Sequence, residues 1–65
     1  MLAENLKALR KAKGLSQEEL AARSGVSAAS LIKYESGEMT PGIDKVISMA
    51  EALGCTPNDL CGWGQ

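Results

Sequence analysis

Leucines at positions 2, 6 and 9 recur at i, i+4 and i+7, the spacing that lines one face of an α-helix. They predict an amphipathic helix over 2–13 with its lysines outward, ended by Gly14 in the usual C-terminal glycine position. Ser16-Gln17-Glu18-Glu19 has the form of a capping box, in which Ser16 and Glu19 satisfy each other's orphan amides, and Leu15 and Leu20 flank it as a hydrophobic staple. This second helix is short, because Gly25 stops it within three turns. Ser27 caps a third helix, with Val26 stapled to Leu31, and Ser36-Gly37 ends it. A loop over 38–42 leads to a fourth helix, where Ile43, Val46, Ile47, Ala50 and Leu53 form an apolar stripe terminated by Gly54. Thr56-Pro57-Asn58-Asp59 then supplies a cap, a proline at the first helical position and an acid in the first turn of a fifth helix. Cys55 and Leu60 make a third staple there. No strand alternation, repeat or low-complexity segment interrupts the series, so the expected fold class is all-α, built from five short helices.

Composition narrows the possible chemistry. Sixty-five residues correspond to a single domain over 1–65, and with no Phe, one Tyr and one Trp the core must be aliphatic, as in close-packed short helices. Histidine is absent, which removes the commonest general base and metal ligand. Two cysteines, Cys55 and Cys61, are too few for a zinc site and read as small apolar core fillers. Neither a metal nor another cofactor nor a small-molecule ligand is indicated. No apolar run approaches the roughly 18 residues of a membrane span, and no signal-peptide pattern opens the chain, so a cytoplasmic location is expected. The net charge of −1 and pI near 5.2 are far from the basic balance of many nucleic-acid binders. The charges are unevenly distributed, however. Lys7, Arg10, Lys11, Lys13, Arg23 and Lys33 face four acids over 1–37, while Lys45 alone faces four acids over 38–65.

The segment from Gln17 to Ser36 is a helix ending in glycine, a short turn and a second helix, a tight corner for which Gly25 supplies the left-handed conformation. Leu15-Ser16-Gln17-Glu18-Glu19-Leu20-Ala21, Gly25-Val26-Ser27, Tyr34-Glu35-Ser36-Gly37 and Ala52-Leu53-Gly54 together resemble the lambda-repressor/Cro family of helix-turn-helix proteins, also called the xenobiotic-response-element family. The resemblance runs from the first helix through Leu60. It implies a compact five-helix DNA-binding domain that docks its third helix in the major groove.

At about 100° per residue, Ala28, Ala29, Ile32 and Lys33 share one side of that helix, opposite Ser30, Leu31, Tyr34 and Glu35. The second group suits the core, so the first faces outward, and in similar proteins the outward positions near the helix start read base edges. Lys33 can donate to guanine O6 and N7, whereas Ala28, Ala29 and Ile32 can only touch thymine methyls. Ser27 stands at the helix start, and Gln17, opening the second helix, matches a position that in the family holds a phosphate or an outer base. Lys7 could approach the DNA backbone. Arg10 and Glu35 match a pair that bridges helices one and three in the family, which gives Arg10 a structural role first and a phosphate contact second.

These features point to a transcriptional regulator, a repressor by preference, that binds double-stranded DNA as a homodimer on a two-fold operator. Leu60, Cys61 and Trp63, lying past the main core, are the candidate dimer surface. The alternative is a protein-interaction module or antitoxin-type protein that keeps the fold with weak or no DNA binding, favoured by the acidic pI, Ala28-Ala29, Ile32 and Glu38. An enzyme is disfavoured, since no nucleophile–base pair, metal cluster or phosphate-cradling glycine loop is present.

Overall fold

The computed structural model describes residues 2–62. Five helices follow in chain order: α1 (Leu2–Ala12), α2 (Gln17–Ser24), α3 (Ala28–Ser36), α4 (Ile43–Leu53) and α5 (Pro57–Cys61). Their boundaries are set locally. The Ser16 hydroxyl accepts from the Glu19 amide at 3.0 Å while the Glu19 carboxylate accepts from the Ser16 amide at 2.8 Å, so the capping box is closed in both directions. Thr56 and Asp59 close a second one before α5. Ser27 caps α3 by accepting from the Ser30 amide. Gly25 ends α2 at φ +72°, a left-handed conformation that costs a residue with a Cβ more than glycine. The turn of the helix-turn-helix is built on it.

Helix α3 lies on α1 and α2, α4 lies on α2 and α5, and α5 returns to α1. Leu6, Leu20, Leu31, Met49, Leu53 and Leu60 are fully buried at the junction, so each of the five helices sends at least one large aliphatic side chain inward. Burial of each stabilises the fold by about 1.5–3 kcal/mol. The residues of the three predicted staples, Leu15 and Leu20, Val26 and Leu31, Cys55 and Leu60, are all buried or half-buried in the core cluster.

Two expectations are corrected here. The inward stripe of α4 is Val46, Met49, Ala50 and Leu53, whereas Ile43 and Ile47 are 59% and 43% exposed. Positions 46, 49, 50 and 53 cluster within one narrow sector of the helix, and Ile47 lies about 100° from Val46 at its margin. Leu60, expected at a dimer surface, is 0% exposed within its own bundle, and its carbonyl accepts a hydrogen bond from Asn5 Nδ2 at 3.1 Å. A one-turn helix can place its single large aliphatic residue on the nearest core, and Leu60 seals the α1–α4 side of this one. Cys61 is half-buried against the same core. Trp63 lies outside the described residues.

Candidate nucleic-acid interface

Helix α3 has one buried face and one exposed face. Leu31 and Tyr34 are buried on its inner side, and the Glu35 side chain retains only 3% exposure. Ala29, Ile32 and Lys33 are exposed on the other side, Ile32 at 50%. The predicted division of the helix into two faces therefore appears in the structure with one change. Ala28 is half-buried and packs against the core, because the first turn of α3 is drawn toward α2 by the tight corner at Gly25.

The inner face is fixed by a charged network. Arg10 Nε and Nη2 donate to the two carboxylate oxygens of Glu35 at 2.6 and 3.1 Å, a bidentate pairing that carries both energy and orientation. Arg10 Nη1 donates to the Leu15 carbonyl at 2.8 Å. This guanidinium is 8% exposed and spends three of its N–H groups inside the fold. Arg10 thus occupies the structural position expected of it first, the bridge between α1 and α3. Its task is to lock α1 against α3 and to hold the α1–α2 loop.

Gln17 joins this network, its Nε2 donating to Glu35 Oε1 at 3.1 Å. The bond spans 18 residues and depends on how α2 crosses α3, so no sequence motif announces it. It leaves Gln17 half-buried at the start of α2, with its carboxamide oriented before any ligand arrives. Helix geometry gives the first-turn amides no intrahelical acceptor, and of these the Glu19 amide is taken by the Ser16 hydroxyl. Ser27 is exposed, but its hydroxyl is engaged locally, accepting from the Ser30 amide at 3.1 Å and donating to Ser30 Oγ at 2.9 Å. Lys7 is exposed on α1. The structure therefore places Ala29, Ile32 and Lys33 on the exposed side of α3 and Gln17 at the start of α2, bonded to Glu35 near the end of α3, with Ser27 as the cap of α3 and Ala28 half-buried.

Elsewhere the charge chemistry is modest. The hydrogen bond from the Ser16 amide, and then that with the Ser16 hydroxyl, hold the Glu19 carboxyl below its ordinary range. Burial, then the nearby Asp59 carboxylate, push the Cys55 thiol above its usual range, with Lys13 opposing. Among the described residues, no group of three or more His, Cys, Asp or Glu side chains converges to hold a metal ion. No helix of the described residues is long and apolar enough to cross a membrane.

Comparison with known proteins places this corner in context. The profile of the helix-turn-helix family HTH_3 matches residues 6–60. The cryptic phage CTXphi transcriptional repressor RstR of Vibrio cholerae is 39% identical over 59 residues, which cover 91% of this chain and 53% of that protein. The chain thus spans about half the length of this curated relative. Among solved structures, the restriction-modification controller protein C.AhdI from Aeromonas hydrophila superposes with a TM-score of 0.88 at 36% identity, covering 91% of this chain and 89% of that one. SinR, a master regulator for biofilm formation solved in complex with DNA, superposes with a TM-score of 0.89 at 31% identity, covering 94% and 98%. With the profile spanning α1 through α5 and the helix-turn-helix corner superposing on both structures, the chain belongs to the lambda-repressor/Cro-type helix-turn-helix family.

Proposed function

We propose that this chain is a cytoplasmic, sequence-specific DNA-binding transcriptional regulator, a repressor by preference, that docks α3 in the major groove of double-stranded DNA. The observation that carries this reading is the α2–α3 corner: a short helix with Ala29, Ile32 and Lys33 outward, beside a Gln17 carboxamide already oriented by Glu35. Lys33 reads guanine, Ala29 and Ile32 meet bases without hydrogen bonding, and Gln17 with the first amides of α2 holds a phosphate. Lys7 adds a backbone contact. The similarity to a repressor and to a regulator solved on DNA supports the same assignment.

One short helix with so few polar readers gives little specificity by itself. A homodimer on a two-fold operator, with half-sites about 34 Å apart, multiplies it. Since Leu60 is withdrawn into the core, the surface for the second copy is better sought on α4, where Ile43 and Ile47 stand one turn apart and exposed, continuing toward Cys61 through the α4–α5 contact. Selection of bound duplexes from a random library, followed by gel retardation, tests the DNA assignment. Enrichment of a two-fold motif is the expected result. No retained duplex even at low salt overturns it and favours the second reading, a protein-interaction module or antitoxin-type protein, for which exposed Ile43, Ile47 and Met39 and the net negative charge would be the relevant features.

A further inference from the structure

Ile32 is half-exposed on a face that, in the reading above, meets the polar floor of the major groove. A branched aliphatic group placed there can make no hydrogen bond. If it covers a purine edge or the cytosine amino group, it displaces water from donors and acceptors and returns nothing, which is unfavourable. The apolar feature that a base pair offers in that groove is a methyl group at pyrimidine C5. The neighbouring groups reinforce this. The Ser27 hydroxyl is tied to Ser30, and the Ser36 hydroxyl donates to the Lys33 carbonyl at 3.1 Å, so neither is free to offer a donor to a base. Ala29, one turn earlier on the same strip, is short enough to let the helix approach closely. It is displaced from Ile32 by about 4.5 Å along the axis, comparable to the roughly 3.4 Å rise of one base step.

We propose that the Ala29–Ile32 strip reads C5-methyl groups, so that each half-site has a methylated pyrimidine beneath Ile32, with thymine and 5-methylcytosine both favoured over their unmethylated counterparts. The inference rests on the DNA-docking reading and adds a dependence on base methylation to it. Lys33, whose ammonium has no ion-pair partner among the described residues, supplies the adjoining polar readout, and the methyl strip sets register beside it. Cytosine methylation at that pair would then strengthen binding with no change in Watson–Crick sequence.

The experiment starts from a duplex selected by the full chain. Each thymine of the half-site is replaced in turn by uracil, which deletes the methyl alone. At the position that responds, the T·A pair is then replaced by C·G with and without a 5-methyl group, which adds the methyl alone. One methyl removed from contact corresponds to about fourfold in affinity, so uracil should weaken binding by about that factor per half-site. 5-Methylcytosine should exceed cytosine by a similar factor. Ile32→Ala should narrow both ratios, measured against an unchanged thermal melting curve as the control for folding. Equal affinity for thymine and uracil duplexes at every half-site position, with specific binding intact, overturns the methyl reading. Failure to bind any duplex overturns the DNA-docking reading on which it rests, so the two failures are distinguishable.

Discussion

Arg10 and Lys33 are both cations on short helices, yet they occupy opposite surroundings, and substituting them separates folding from recognition. Lys33 is exposed on α3 and has no ion-pair partner among the described residues, so Lys33→Ala should change stability by less than about 0.5 kcal/mol. The same change should weaken specific binding by about 1–3 kcal/mol if its ammonium meets a guanine. Arg10 is buried against Glu35, and removing it strands a carboxylate at 3% exposure. Breaking such a pair costs about 3–5 kcal/mol, a large part of the roughly 5–15 kcal/mol that holds a small domain together. Replacing both partners, as Arg10→Met with Glu35→Leu, should recover much of that loss, because the unpaired charge is gone. The double variant should still bind DNA less well, since Gln17 loses the acceptor that orients it. Thermal melting and retardation on the same four proteins check all of this, and equal stability losses for Arg10→Ala and Lys33→Ala would refute the assignment of the α3 faces.

At the scale of elements, the caps determine where each helix begins, and they were legible because each joins residues three apart. Ser16 with Glu19 and Thr56 with Asp59 are readable from the chain alone, as are the glycines at which α2, α3 and α4 stop. Ser16→Ala should therefore destabilise the protein by about 1 kcal/mol. Gly25→Ala should cost about 1–2 kcal/mol from backbone conformation, because no atom lies within 4 Å of the Cβ it would add. The Glu19 half of the first box is pH-dependent. Its pKa is lowered in the fold, so its contribution is fully present above the ordinary carboxylate range and disappears as pH falls through the lowered value. The melting-temperature gap between the native chain and Glu19→Gln should be widest near neutrality and close in acid, whereas a gap that persists at acid pH would assign the effect to side-chain shape. What the sequence concealed depends on how helices cross. Ile43 and Ile47 fit the apolar period of α4 as well as Val46 does, and Leu60 follows the main core in the chain. Only the packing of α4 on α2 and of α5 on α1 decides which of them is covered. Gln17 and Glu35 meet through the crossing of α2 and α3.

At the scale of the whole molecule, a chain of net charge −1 must bind a polyanion with few cations, and this limits both affinity and its dependence on salt. Arg10 is committed internally, which leaves Lys7 and Lys33 as the cations assigned to the interface. With Lys33 assigned to a base and Lys7 to the backbone, even counting both as neutralising phosphate in each subunit of a dimer gives a log–log salt slope no steeper than about −4, at −0.9 for each phosphate. Weak electrostatics place a greater demand on pairing, because two half-sites read together gain an effective concentration that neither subunit has alone. A second copy meeting the exposed α4 face would form an isologous contact, the same patch on both chains. Ile47→Glu would then place two like charges close to the two-fold axis. Because Ile47 is already 43% exposed, that change should leave the monomer's melting temperature nearly unaltered while shifting sedimentation from dimer to monomer. Operator binding should fall steeply, half-site preference should stay the same, and the salt slope should drop toward half its value. Sedimentation of the native chain as a monomer at micromolar concentration, or an Ile47→Glu protein that remains dimeric, would exclude α4 as the interface and return attention to Cys61 and the residues that follow it.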